Sequence, residues 1–191
     1  MTFDPVYEIY KLKNLHVLTR QRYQLACQYC DDMDVMDIAC NSGYGSYMIS
    51  RTAKYVMACD ISKESIDFAN KHWKADNIEY AVADLLKMWV GNLYDVVVSL
   101  ETIEHIFTEY SEIVAKLKQH IKPYGLLILS FPKDEQREPD ESHVHTKIKE
   151  RNIVHALTDN GFFIDNYITQ GNREYQSIVY EQVIIVARRQ D

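Results

Sequence analysis

Val35-Met36-Asp37-Ile38-Ala39-Cys40-Asn41-Ser42-Gly43-Tyr44-Gly45-Ser46 is the stretch on which the fold turns. Val35 to Ala39 reads as a short apolar strand, Cys40 to Gly45 as a loop of small and polar residues, and a helix is predicted from about Ser46 to Thr52. Small residues at such a strand-to-helix turn let the backbone approach a ligand closely.

The same alternation continues outward. Tyr55–Cys59 is predicted as a strand ending at Asp60, with Ser62 capping a helix to about Trp73. Ile78–Val82 is a third strand, followed by Asp84. Tyr94–Leu100 is apolar for too long to alternate faces, which marks a strand covered on both sides. A helix from Glu109 to Ile121, a turn at Pro123-Tyr124-Gly125 and a strand over Leu126–Phe131 follow. The polar stretch of residues 133–146 suits a lid or substrate loop. Lys147–Asn160 reads as a helix stopped by Gly161, and Phe162–Ile168 and Ile178–Ala187 as closing strands. Ahead of all this, Leu15 to Tyr29 has helical spacing, and residues 1–30 form an N-terminal helical cap. The expected architecture is α/β and Rossmann-like, a mostly parallel sheet with helices on both faces. Two final strands joined without a helix predict an antiparallel addition at one edge.

Composition narrows the function classes. A chain of 191 residues is expected to be a single domain, 1–191. With 47% apolar and 26% charged residues it is neither a disordered tail, a collagen-like fibre nor a disulfide scaffold. Twenty-eight acids against 21 bases leave a net charge of −7, which disfavours nucleic-acid binding by bulk charge. No apolar run has the length of a membrane span, and the first residues lack an apolar signal core. A soluble cytoplasmic protein is the expectation. Cys27 and Cys30 have redox or zinc spacing, but they lie in a helical pattern before the first strand, and no second pair accompanies them. With Cys40 and Cys59 they read as buried free thiols.

The acids around the loop suggest its ligand. Asp60 ends the next strand and suits two ribose hydroxyls, since a carboxylate accepts both hydrogen bonds. Asp84 can accept from an adenine amino group. Asp37 at the loop entrance would repel a pyrophosphate but tolerates a cation. S-adenosylmethionine carries a sulfonium, an ammonium and no phosphate, so the electrostatics favour it over NAD.

A second cluster, Glu101-Thr102-Ile103-Glu104-His105, follows the fourth strand, at the end of a parallel sheet where ligands bind. On a helical turn Glu101, Glu104 and His105 share a face. Two carboxylates and an imidazole suit Mg²⁺, Mn²⁺, Fe²⁺ or Zn²⁺. The plainer alternative is that Glu104 caps a helix and His105 hydrogen-bonds the backbone.

Together these segments resemble the class I S-adenosylmethionine-dependent methyltransferases, in their ubiquinone-biosynthesis-type (type 11) branch. VMDIACNSGYGS is similar to the first motif, ACDIS to the second, VADLL to the third, YDVVVSLETIEHI to the fourth and GLLILSFP to the fifth strand. The resemblance runs from about Arg22 to Ala187. It implies a seven-stranded sheet with an antiparallel last strand. It implies cofactor contacts at Arg22, Tyr23, Asp37, Ala39, Asn41, Gly43, Asp60, Ile61, Asp84, Leu85, Ser99 and Leu100. The family usually has glycine where Ala39 and Asn41 stand, which predicts weakened cofactor binding; Asn is the non-glycine residue most tolerant of a left-handed backbone.

Some relatives hold a divalent metal with Glu, Glu and His, and the small-RNA 3′-terminal 2′-O-methyltransferases add a second histidine after the fifth strand. The resemblance thus implies Glu101, Glu104, His105 and His143 as ligands of Mg²⁺ or Mn²⁺, with His145 as the alternative to His143. A metal there would lower the pKa of an acceptor hydroxyl, and a histidine would take its proton. Without metal, His105 or His143 is the base. The expected reaction is O-methylation of a small acceptor such as a sugar, nucleotide sugar, quinol or catechol. Two alternatives are a 2′-O-methyltransferase acting on an RNA 3′ end and a non-catalytic cofactor-binding subunit of a larger assembly. His16, His72, His120 and His155 are expected as surface or capping residues, and Trp73, Trp89 and Phe107 as core edges.

Overall fold

The computed structural model describes residues 17–133, 144–145, 147–171 and 181–191. Five α-helices and seven strands occur among them. Three strands lie side by side in the order Ile78–Val82, Tyr55–Asp60, Asp34–Ile38, and four in the order Tyr94–Leu100, Ile121–Lys133, Glu181–Arg189, Phe162–Gly171. The chain divides into two compact units, one ending at Trp89 and one beginning at Val90.

The first unit holds α1 (Val17–Cys27), β1 (Asp34–Ile38), α2 (Tyr44–Ser50), β2 (Tyr55–Asp60), α3 (Lys63–His72) and β3 (Ile78–Val82). β1 pairs with β2 and β2 with β3, all parallel. Val35, Val56 and Ala58 are fully buried, as strands covered on both faces require. The predicted cap of α3 is present: Ser62 is extended, and its Oγ accepts from the Ser65 amide at 3.2 Å. Asn77 seals the entry to β3 by donating to the carbonyls of Ser50 and Ala53 at 2.8 and 2.9 Å.

The second unit holds β4 (Tyr94–Leu100), a 3₁₀ turn (Ile103–His105), α4 (Tyr110–Lys118), β5 (Ile121–Lys133), α5 (Glu150–Asp159), β6 (Phe162–Gly171) and β7 (Glu181–Arg189). β4 and β5 are parallel, and β7 is antiparallel to both β5 and β6. The antiparallel addition is therefore the β6–β7 hairpin, with β7 in the interior position. Val183 to Ala187 are buried accordingly.

Several boundaries differ from the sequence expectation. β5 begins at Ile121 and runs through Pro123-Tyr124-Gly125, which was expected as a turn. Tyr124 there adopts a left-handed φ of 63°, and the β4–β5 register shifts between Tyr94 and Val96, so the turn chemistry becomes an irregularity within the strand. A Cβ on Gly125 would stand 2.8 Å from the Asp95 carbonyl oxygen, which explains the glycine. His120 is buried rather than superficial, and burial pulls its pKa down. Trp89 and Phe107 are not core edges: they are 90% and 87% exposed. His16, His143 and the start of the expected last strand, 178–180, lie outside the described residues.

Candidate functional site

The loop between β1 and α2 is built by left-handed backbone. Ala39, Asn41 and Gly43 have φ of 61°, 50° and 82°. The two positions where glycine was expected thus take the conformation glycine favours, with residues that carry a Cβ. Asn41 is the more comfortable of the two, because its Oδ1 accepts from the Ser42 amide at 2.6 Å. At Gly43 itself a Cβ would stand 2.5 Å from the Ala69 Cβ and 2.8 Å from the Tyr80 ring. The Tyr80 hydroxyl donates to the Gly43 carbonyl at 3.3 Å.

Asp60 holds this loop in place. Its Oδ2 accepts from the Asn41 amide at 2.8 Å and its Oδ1 from the Ser62 amide at 2.8 Å. A carboxylate oxygen accepts more than one bond, so these contacts leave Asp60 chemically suited to the expected ribose hydroxyls. Ile61, next to it, is 70% exposed. Asp84 accepts from the Leu86 amide at 2.9 Å and pairs with Lys87 at 2.9 Å. The Lys87 contact, helped by that amide, lowers its pKa and keeps it an acceptor. Leu85 beside it is buried.

Asp37 is fully buried near the end of β1. Ser46, in the first turn of α2, donates to its Oδ2 at 2.6 Å, and the Tyr23 hydroxyl from α1 donates to the same oxygen at 3.4 Å. Its Oδ1 is buried with no hydrogen-bond partner among the described residues. Burial pushes the carboxyl up to about 7, the two hydroxyls oppose that, and the charge of Asp60 adds to it. Arg22 is buried one residue before Tyr23 and donates to Thr19 Oγ1 at 3.2 Å. A buried acceptor atom without a partner, a left-handed loop and two further acids fit a nucleoside joined to an ammonium-bearing chain, as in S-adenosylmethionine.

In the second unit, Ser99 is fully buried, and its hydroxyl has no hydrogen-bond partner among the described residues. Leu100 is buried beside it. Glu101 then turns left-handed, with φ 53°. Its amide bonds both the carbonyl and the hydroxyl of Ser130 on β5, at 3.1 and 3.0 Å. Its carboxylate accepts from Ser130 Oγ at 2.7 Å and from the side-chain amide of Gln182 on β7. Glu104 is buried in the 3₁₀ turn rather than capping a helix. Its carbonyl accepts from the amides of Val144 and His145 at 2.9 and 3.1 Å. Exposed His105 places Nε2 3.9 Å from Glu104 Oε1. His145 points elsewhere: Nε2 donates to the Thr108 carbonyl at 2.9 Å, and the ring packs on Tyr110 with centroids 4.8 Å apart. Among the described residues no three His, Cys, Asp or Glu side chains gather as a metal set.

Ser46, Ser130 and Gln182 are absent from the sequence-based expectation. Ser46 was legible in principle, as a hydroxyl in the first helical turn after an acid-bearing strand. Ser130 and Gln182 reach Glu101 from 29 and 81 residues away and left no local signal.

A methyltransferase domain model matches residues 36–129. The ubiquinone biosynthesis O-methyltransferase of Rickettsia canadensis (strain McKiel) is 25% identical over 167 residues, covering 78% of this chain and 67% of that protein. Its counterpart in Rickettsia akari (strain Hartford) is 24% identical, over 81% of this chain and 65% of that protein. The chain therefore spans about two thirds of the length of these two curated relatives. Among solved structures, the N-methyltransferase NodS of Bradyrhizobium japonicum WM9 superposes with a TM-score of 0.75 at 15% identity, over 92% of this chain and 98% of that one. NodS is also known in complex with S-adenosyl-L-homocysteine. The magnesium protoporphyrin IX methyltransferase ChlM of Synechocystis PCC 6803, with bound S-adenosylmethionine, superposes with a TM-score of 0.70 at 25% identity, over 93% and 82%. A methyltransferase domain thus occupies residues 36–129, and the β1–α2 loop with its acids agrees with the class I S-adenosylmethionine-dependent methyltransferases, with a distant likeness to the ubiquinone-biosynthesis O-methyltransferases.

Proposed function

We propose that this protein transfers a methyl group from S-adenosylmethionine to a hydroxyl oxygen of a small acceptor, a quinol or catechol before a sugar or nucleotide sugar. The name of the Rickettsia relatives, ubiquinone biosynthesis O-methyltransferase, motivates the choice of acceptor. In this reading Arg22, Tyr23, Asp37, Ala39, Asn41, Gly43, Asp60, Ile61, Asp84 and Leu85 hold the cofactor, and the family resemblance adds Ser99 and Leu100. The cofactor supplies the electrophilic methyl group.

One observation carries the acceptor side. Glu101 is held in a left-handed conformation after β4 by Ser130 and Gln182. Backbone strain maintained by neighbouring donors is a mark of functional positions. Glu101 would orient the acceptor hydroxyl. His105, whose Nε2 lies 3.9 Å from Glu104 Oε1, would take its proton. A metal-assisted version would draw Glu101, Glu104, His105 and His143 onto Mg²⁺ or Mn²⁺. The engagement of Glu101 by Ser130 and Gln182 favours His105 as a base without metal.

The test is turnover of purified protein with S-adenosylmethionine and catechol, followed as S-adenosylhomocysteine and methyl ether, with and without EDTA. Methyl ether formed in EDTA and lost in His105→Ala supports the base. Activity abolished by EDTA and restored by Mg²⁺ or Mn²⁺ moves the reading to the metal. An RNA 3′ end methylated in preference to small hydroxyls, with steep salt dependence, would replace it with the RNA alternative. Binding of S-adenosylhomocysteine without turnover of any hydroxyl acceptor would leave the cofactor-binding subunit.

A further inference from the structure

Asp37 is the buried acid of the loop, and every hydrogen-bond donor to its carboxylate is a neutral hydroxyl. Ser46 and Tyr23 both serve Oδ2, which leaves Oδ1 buried without a donor. An ionised carboxylate removed from water needs a cation or donors on both oxygens, and this one has two hydroxyls on a single oxygen. Burial accordingly raises its pKa to about 7, with the charge of Asp60 adding to the effect. The missing partner is thus a cationic N–H group that arrives with a ligand.

We propose that Ser46 and Tyr23 are positioning residues that hold Asp37 for the ammonium group of the cofactor, and that the cofactor enters with release of the proton that Asp37 carries in the free protein. The proposal rests on the S-adenosylmethionine reading above. The proton balance is simple. The O–H bond of Asp37 breaks, its proton goes to the buffer, and the ligand keeps its ammonium. The carboxylate then accepts from Ser46 and Tyr23 on one oxygen and from the ammonium on the other.

The surroundings leave Asp37 as the group that titrates near neutrality. Burial pushes up the thiols of Cys27 and Cys30, on and just after α1, and those of Cys40 in the loop and Cys59 on β2. It also pushes up the phenols of Tyr23 and Tyr80. All six are neutral between about pH 6 and 8. Asp60 at the end of β2 contributes a neighbouring negative charge, and Arg22 acts on Tyr23 from the positive side.

The experiment is calorimetric titration of the whole chain with S-adenosylhomocysteine, which bears the same ammonium, in phosphate and in Tris. The difference in enthalpy between the buffers counts protons. Release of roughly half a proton at pH 7, nearly one at pH 6 and little at pH 8 is expected. Affinity should rise with pH by up to about tenfold per unit below pH 7 and then level off. Ser46→Ala removes the shorter donor, so its release should persist to higher pH. A purely structural role for Ser46 would weaken binding without moving that midpoint. Asp37→Asn should bind with no proton exchange. Buffer-independent binding by the wild type, or the same exchange in Asp37→Asn, overturns the proposal. Failure to bind S-adenosylhomocysteine at any pH overturns the cofactor reading beneath it.

Discussion

Gly45 lies directly against the ring of Tyr23: a Cβ on Gly45 would stand 2.1 Å from the ring Cζ. The closeness of α2 to α1 is therefore set by one missing methyl group. It places the Tyr23 hydroxyl 3.4 Å from Asp37 and the Tyr23 ring edge-on to Tyr44, with centroids 5.4 Å apart.

Gly45→Ala should displace Tyr23 and destabilise the protein by about 1–3 kcal/mol, the usual cost of overpacking a buried site. In a Tyr23→Ala background the same substitution should cost little, because the obstructing ring is gone. Thermal unfolding of the four proteins of this cycle checks the pair. Additive effects would show that the ring is not what Gly45 accommodates.

Ala39 has φ 61° without a side-chain hydrogen bond of its own to support it. A left-handed alanine carries a conformational cost of about 1–2 kcal/mol, partly offset in a glycine variant by the greater freedom of its unfolded chain. Ala39→Gly should therefore raise stability slightly, by less than about 1 kcal/mol, and tighten S-adenosylhomocysteine binding. Denaturant unfolding and calorimetry measure both. Weaker binding in the variant would mean that the alanine methyl itself contributes to the site.

The raised pKa of Asp37 makes stability fall with pH. In the unfolded chain the group ionises near 3.8, in the folded protein near 7. Below the lower value both states are protonated and nothing is lost. Between the two, the unfolded state alone gives up the proton, so folding is progressively disfavoured, by at most about 4 kcal/mol above pH 7. Asp37→Asn should remove this dependence. Its midpoint temperature should exceed that of the wild type at pH 8 and approach it near pH 4. A wild type whose ligand-free stability does not change between pH 4 and 7 relative to Asp37→Asn would refute the shift.

The four cysteines are free; three are buried and Cys27 is partly exposed. Burial pushes Cys59 up to about 12 and raises the other three as well, so thiolate is scarce at neutral pH. A thiol reagent such as DTNB should modify Cys27 slowly and the others only on unfolding, with four equivalents in guanidinium. Rapid reaction of a Cys27–Cys30 pair in the native protein would revive the redox reading.

The amino-acid order by itself determined the alternation of strands and helices, the left-handed loop after β1 and the acids at the strand ends. These are local: apolar runs, turn residues and caps act over a few positions, and four motifs in sequence leave little freedom in how they are joined. Tertiary structure alone decided what those acids touch. Asp37 meets Ser46 because the left-handed loop turns the first turn of α2 back toward the end of β1, and it meets Tyr23 because Gly45 admits the ring. Glu101 shares a helical face with Glu104 and His105 only if its own backbone is helical; its left-handed φ sends the carboxylate to Ser130 and Gln182 instead. His145 is likewise turned to Thr108 and Tyr110. Such contacts join residues far apart in the chain, and their geometry depends on backbone torsions and packing that residue spacing does not encode.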